Sequence, residues 1–259
     1  AQQFPERFFE MGVAEQNMMG VAAGLSTCGF IPFPTTFGVF ASKRAHDQIS
    51  ISIAYTNLNV KIVGSYSGLT SPNTGATHQA IDDIASMRAM PNMRVVVPAD
   101  AIEVEKAVFA IAEEPGPIYL RLGRCKAPII FKNNYGFKLG EAIVMRRGSD
   151  VALVGTGIMT SKCLEAARIL QKDKIEATVL HVSTIKPMDV SKVIEVAKET
   201  GAIVTAENHS IIGGLGSAVS EVLGENMPSF IQRVGIRDTF GESAKDMEDL
   251  FIKYGLTSK

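Results

Sequence analysis

Short apolar runs alternate with longer amphipathic segments along nearly the whole chain, and this limits the fold more than any other feature. "NVKIVGSY", "MRVVVPAD" and "GPIYLRLGR" read as buried strands. "AIDDIASMRAM" and "AIEVEKAVFAIAEE", which lie between them, read as helices. Parallel strands need a crossover, usually a helix, so the alternation predicts an α/β protein with a mostly parallel sheet.

The pattern occurs twice. Glu15 to Thr27 favours helix, with Gly20 and Gly24 expected to allow close contact with a neighbouring element. "FIPFPTTF" reads as a short extended segment, and residues 40–54 as one helix. "SGLTSPNTGATHQ" is a loop by its Gly, Ser, Thr, Pro and Asn content. Asp100 is placed to cap the helix that follows it, with Glu103 at capping-box spacing. Residues 126–147 have no strong period and read as a linker with short strands. The second unit has strands in "DVALVGTG", "IEATVLHV" and "GAIVTAEN", and helices near residues 160–172, 189–199 and 214–224. The expectation is two consecutive open, mostly parallel-sheet α/β domains, residues 1–125 and 148–259. "GGLGSAV" lacks a full GxGxxG spacing and reads as a tight strand-to-helix turn.

Composition excludes several function classes. With 259 residues, 46% of them apolar, the chain can bury a sizeable core. The 26 basic against 27 acidic residues give no electrostatic reason to expect nucleic acid or an anionic membrane surface. No apolar run reaches the ~18 residues of a membrane span. Cys28, Cys125 and Cys163 are odd in number and in no metal-ligand spacing. They read as buried free thiols in a reducing, cytoplasmic compartment.

Few residues offer chemistry. His181 lies within a strand and reads as a satisfied core histidine, while His46, on a charged helix, reads as solvated or interfacial. His209 follows a strand end, where structural and site-rim roles are equally open. His78 ends a polar loop after a buried strand, where a rigid scaffold presents a side chain to a ligand. Glu15 stands between an apolar approach and an Ala/Gly-rich helix in "FFEMGVAEQNMMGVAAG". It reads as a first-turn helix acid or as a proton-handling group.

These segments together resemble the transketolase family of thiamine diphosphate enzymes. "RFFEMGVAEQNMMGVAAGLS", "TTFGVFASKRAHDQI", "GATHQAIDDIASMRAMPNMRVVVPAD" and "GPIYLRLGR" are similar to its pyrimidine-binding domain. "TIKP", "AENH" and "GGLG" are similar to its C-terminal domain. The resemblance implies that Glu15 is the acid hydrogen-bonded to the cofactor's aminopyrimidine, which lets the cofactor's own imino group take the thiazolium proton. It also implies that Phe37 stacks on that ring, with Phe40 one helical turn further on. His78 would contact the donor's carbonyl and hydroxyl groups. Arg124 would bind the substrate phosphate, a task suited to a guanidinium.

In the family the diphosphate is held through a metal ion, magnesium or calcium, by a Gly-Asp-Gly motif and a downstream Asn in a separate domain. That motif is not in this sequence. The first strand and helix of the pyrimidine-binding domain are expected to precede "AQQFPERFF". The implied arrangement is the smaller subunit of a split transketolase, acting with a larger diphosphate-binding subunit as a heterotetramer.

The substrate loop departs from the family pattern "SHAGLSVGEDGATH", reading "SYSGLTSPNTGATH" here. Tyr66 replaces a histidine that helps grip the sugar phosphate, Thr74 an aspartate that reads a hydroxyl, and Asn73 a glutamate. These changes spare the cofactor acid and fall on substrate recognition, so an altered ketose donor or acceptor is expected. Other readings are the beta-type subunit of a 2-oxoacid dehydrogenase, a 1-deoxyxylulose-5-phosphate synthase-like enzyme, and a non-catalytic interaction subunit.

Overall fold

The computed structural model describes residues 2–259. In the first half, α1 (Glu15–Thr27), β1 (Thr35–Phe37), β2 (Lys61–Ser65), α2 (Asp83–Ala89), β3 (Arg94–Val96), α3 (Ala101–Glu113) and β4 (Ile118–Arg121) follow in order. The second half holds β5 (Ile143–Arg146), β6 (Val151–Gly155), α4 (Met159–Lys172), β7 (Ala177–His181), β8 (Thr184–Lys186), α5 (Val190–Thr200), β9 (Ala202–Ser210), α6 (Leu215–Asn226), β10 (Phe230–Ile236) and α7 (Met247–Lys253). There are two domains, each built on a mostly parallel five-stranded sheet flanked by helices, in the orders β1-β2-β4-β3-β8 and β10-β9-β6-β7-β5. Each sheet has one antiparallel edge strand: β8 on β3, and β5 on β7.

The β8 edge ties the domains together. Although it follows β7 in the second half, it pairs with β3 in the first sheet, and Val97 N donates to Ser183 O at 2.7 Å. One apolar core therefore joins Met19, Ile62 and Met93 of the first half to Ile185 and Val193 of the second. Strands β8 and β10 and helix α7 are elements that periodicity did not reveal. Three-residue β8 is too short for a period, and β10 buries only its last two residues, so it carries no buried apolar run.

Several local expectations need correction. Residues 40–54 are not one α-helix but two π-helical segments, Phe40–Arg44 and Gln48–Ala54, and Ala45 N donates to Phe40 O five residues back. Within this chain Gly20 and Gly24 make no close packing face. An added Cβ at either would meet nothing within 4 Å, and α1 buries Met19, Ala22 and Ala23 instead. Asp100 does cap α3 by accepting from Glu103 N at 2.9 Å, but the Glu103 carboxylate takes Ala99 N rather than the cap residue's own amide. Cys28 is exposed and Cys125 half-buried; only Cys163 is buried. The glycine turn after β9 has a specific cause. Glu207 accepts from Leu215 N and Gly216 N, both at 2.8 Å, so a side chain at Gly214 would overlap that carboxylate.

Several buried polar groups sit where the domains meet. Asp83 Oδ2 accepts from Arg121 Nε and from the Tyr119 hydroxyl, both at 2.8 Å. Arg121 also donates to Ala80 O and, across the boundary, to Asn208 O, each at 3.0 Å. Burial, the largest single influence, pushes the Asp83 carboxyl up, but the Arg121 guanidinium, His209 and the hydrogen bonds from Arg121 and Tyr119 together hold it below the usual carboxylate range. His181 is a satisfied core histidine, fully buried between Glu103 (2.9 Å) and Thr160 (2.7 Å). His209 is fully buried as well, with Nδ1 2.7 Å from Ser210 O, which decides for the structural role.

Candidate active site

Parallel strands deliver their C-terminal ends to one edge of a sheet, where open α/β proteins bind ligands. In the first sheet Phe37 ends β1 in register with Ser65, the last residue of β2, and Tyr66 follows directly. The Phe37 and Tyr66 rings stack with centroids 4.1 Å apart and 12° between planes. Tyr66 is held at φ +58°, a conformation uncommon outside glycine. The Arg124 guanidinium, three residues beyond β4, lies 4.9 Å from the Tyr66 ring centroid. Its backbone is fixed by Arg124 N donating to Thr70 Oγ1 at 3.0 Å.

Phe40 continues the cluster. Its ring is nearly parallel to Phe37, with centroids 5.8 Å apart and 9° between planes. His78 meets both rings edge-on, at 5.2 Å from Phe40 and 6.0 Å from Phe37. The loop that presents His78 is anchored on both sides. His78 N donates to Gly75 O, and Gln79 Nε2 donates to Glu242 O of the second domain at 2.9 Å. The imidazole Nδ1 lies 2.8 Å from the Thr77 hydroxyl.

Glu15 joins from the other side. It is the first residue of α1, so the helix's free amides favour its negative charge, yet it is only 5% exposed. Arg44 Nη1 donates to both carboxylate oxygens at 3.1 Å. The same guanidinium lies 4.1 Å from the Phe40 ring centroid. The fold thus brings Glu15, Phe40, Phe37, His78, Tyr66 and Arg124 into one chain of contacts. Thr74 makes none of them: its hydroxyl donates within its own loop to Ser71 O at 2.8 Å.

Arg44 is the member of this cluster that the sequence reading missed. Its spacing of four residues from Phe40 was a usable signal, because such residues share a helix face. A cavity of about 540 Å³ opens elsewhere at the domain boundary, lined by Asp100, Arg121, Cys125 and Asn208 among others. None of Glu15, Phe37, Phe40 or His78 lines it. Among the described residues, no three His, Cys, Asp or Glu side chains come together as a metal-holding group, and no helix is long and apolar enough to cross a membrane.

Comparison with known proteins agrees with this architecture. Residues 1–128 match the family described as "Transketolase, pyrimidine binding domain", and residues 140–259 match "Transketolase, C-terminal domain". The chain is 48% identical over 259 residues to the 6-deoxy-6-sulfo-D-fructose transketolase subunit SqwH of Clostridium sp. (strain MSTE9), spanning all of this chain and 80% of that one. It is 37% identical to a subunit of the apulose-4-phosphate transketolase of Phocaeicola vulgatus, over 99% of this chain and 82% of that one. Among solved structures, a split gene transketolase described as an inactive beta4 tetramer superposes with a TM-score of 0.94 at 52% identity, covering 100% of this chain and 82% of that one. A transketolase from Campylobacter jejuni, 23% identical over 96% of this chain and 38% of its own, shares the fold with a TM-score of 0.80. Sequence, domain order and fold agree: the chain belongs to the transketolase family.

Proposed function

We propose that this chain is the small subunit of a two-component, thiamine diphosphate-dependent transketolase that moves a two-carbon ketol unit from an anionic ketose to an aldose. The observation that carries the reading is Glu15: a carboxylate 5% exposed beside an aromatic cluster, with Arg44 as its hydrogen-bond partner. A carboxylate offers about four lone-pair sites, so Glu15 fits a flat, nitrogen-containing ring laid against Phe40. Phe40 lies nearer to Glu15 through Arg44, while one face of Phe37 is covered by Tyr66. We therefore assign the stacking surface chiefly to Phe40 and support of that surface to Phe37.

Thiamine diphosphate, when bound, supplies a thiazolium carbon able to attack a ketose carbonyl. The protein's part is to hold and move protons around it. Glu15 holds a proton against the ring nitrogen, and Phe40 and Phe37 supply a dry, flat face that excludes water. His78, edge-on to both rings, reaches the donor's oxygens. Tyr66 and Arg124 form the outer end, where a guanidinium suits a terminal anion. The diphosphate and its magnesium or calcium ion are assigned to a larger partner subunit, most simply in a heterotetramer. Exposed Val13, Val21, Phe30 and Tyr55 at and around α1 offer that partner an apolar surface. The inactivity of the related beta4 tetramer supports the need for a second kind of subunit.

The relatives' names support a donor other than an ordinary pentose phosphate, since one is a transketolase of 6-deoxy-6-sulfo-D-fructose and another of apulose 4-phosphate. This agrees with the substitutions in the substrate loop. The deciding experiment assembles the chain with its larger subunit and assays Glu15→Gln and the unaltered protein against sulfofructose, apulose 4-phosphate and xylulose 5-phosphate. The expected result is a loss of at least ~100-fold in Glu15→Gln and a preference for one of the first two sugars. Unchanged turnover in Glu15→Gln would favour a non-catalytic scaffold, and full activity on xylulose 5-phosphate without preference would remove the altered-donor reading.

A further inference from the structure

The contacts of Arg44 reproduce, on one side chain, those that the proposed function requires of an aminopyrimidine. Its guanidinium is a flat, conjugated group over the Phe40 face at 4.1 Å, and it donates hydrogen bonds to both Glu15 oxygens at 3.1 Å. A pyrimidine ring hydrogen-bonded to Glu15 and stacked on Phe40 would call on the same carboxylate and the same aromatic ring. A ring laid on the face of Phe40 that Arg44 covers would have to move that guanidinium to reach Glu15.

We propose that Arg44 is a built-in competitor for the cofactor's pyrimidine position, capping Glu15 until the aminopyrimidine displaces its guanidinium. The inference rests on the assignment of Glu15 as the cofactor acid and adds a residue that controls access to it. Three observations support it. Arg44 is 48% exposed, so its side chain has solvent to swing into, whereas the carboxylate it covers does not. The neighbouring cation is committed elsewhere, because Lys43 pairs with Asp82 at 3.1 Å, which leaves Arg44 alone on Glu15. Phe40 and Arg44 also bound a single π-helical segment, a rare backbone geometry enriched at functional sites.

A group that must vacate the site lowers apparent affinity by the fraction of time it occupies it. Removing it should therefore strengthen binding, the opposite of what loss of a cofactor-contacting residue does. The test is a fluorescence titration of thiamine diphosphate with magnesium into the assembled two-subunit enzyme carrying Arg44→Met, Arg44→Lys or Glu15→Ala. The expected result is a roughly tenfold lower Kd and faster association for Arg44→Met, with Arg44→Lys in between because it keeps the charge but not the flat fork. Equal or weaker binding by Arg44→Met overturns the proposal. Should Arg44→Met fail to fold or assemble, Arg44→Lys decides: tighter binding supports competition, and equal or weaker binding overturns it. Glu15→Ala separates the two levels. Wild-type affinity there would overturn the assignment of Glu15 itself, whereas weaker binding without tightening in Arg44→Met would overturn only the role of Arg44.

Discussion

Replacing Asp83 with Asn should weaken the whole molecule, because it removes one charge from a fully buried pair without changing shape. Asp83 Oδ2 accepts from Arg121 and from Tyr119, and Arg121 passes the contact on to Ala80 O and Asn208 O. Asn keeps a carbonyl oxygen for both donors, so the loss is the charge. Two charge-assisted bonds become neutral ones at about half the strength, and the guanidinium is left buried without its counterion. Unpaired buried charges cost about 3–5 kcal/mol, and the retained hydrogen bonds put Asp83→Asn near the lower end. For a chain of this size ~3 kcal/mol corresponds to a drop in Tm of about 6–12 °C. Thermal melts and urea titrations followed by circular dichroism would measure it.

The pH dependence has a definite sign. Against burial, which raises it, Arg121, His209 and the hydrogen bonds from Arg121 and Tyr119 together lower the folded-state pKa of Asp83 below its unfolded value. The pair's stabilisation is therefore fully present above the unfolded carboxylate range and lost as pH falls through the folded value. The gap between the unaltered protein and Asp83→Asn should hold constant from about pH 5 to 8 and narrow only below about pH 4. Adding Arg121→Met should cost less than the sum of the single changes, since the two residues are directly coupled. A drop under about 1 kcal/mol at neutral pH, or strict additivity in the double variant, would refute the reasoning.

Other outcomes follow from particular contacts. The Cys163 thiol is pushed up to about 12 by burial, so at about pH 8 a thiol reagent should modify exposed Cys28 first and reach Cys163 only on unfolding; early labelling of Cys163 would contradict its placement. Tyr66→His should remove the Phe37–Tyr66–Arg124 stack and raise KM for the preferred donor several-fold with a smaller change in kcat, as steady-state kinetics of the assembled enzyme would show. Gly68→Ala combines a φ of +64° with a Cβ that would overlap the Asn208 side-chain amide, so a loss of roughly 2 kcal/mol in urea unfolding is expected.

Much of the fold was legible because its causes are local. The limits of α1, the Asp100 cap on α3 and the strands β2, β4, β6 and β7 follow from propensity, capping chemistry and apolar runs that need no distant partner. The missed parts depend on partners. The three-residue β8 has no pattern of its own and becomes a strand because β3 offers an open edge. The expected packing face at Gly20 and Gly24 lies open, since the sequence shows that a helix is small on one side but not which side meets the core. At the site, Glu15, Phe37, Phe40, His78, Tyr66 and Arg124 could each be singled out from motifs. Arg44 belongs to no such motif role, and spacing ties it to Phe40 alone; its significance lies in touching Glu15 as well.

The sequence by itself determined the class of protein and the inventory of chemistry: two α/β units, one acid before an apolar helix, one loop histidine, and an aromatic-rich stretch between them. The tertiary structure decided how these meet. Strand register sets Phe37 beside Tyr66, and β8 locks the second domain onto the first sheet. The π-helical turn at Phe40–Arg44 leaves a guanidinium on the carboxylate of a helix 29 residues earlier. Local sequence sets backbone preferences within a few residues. Which side chains meet at one buried carboxylate is settled only when distant segments pack against each other.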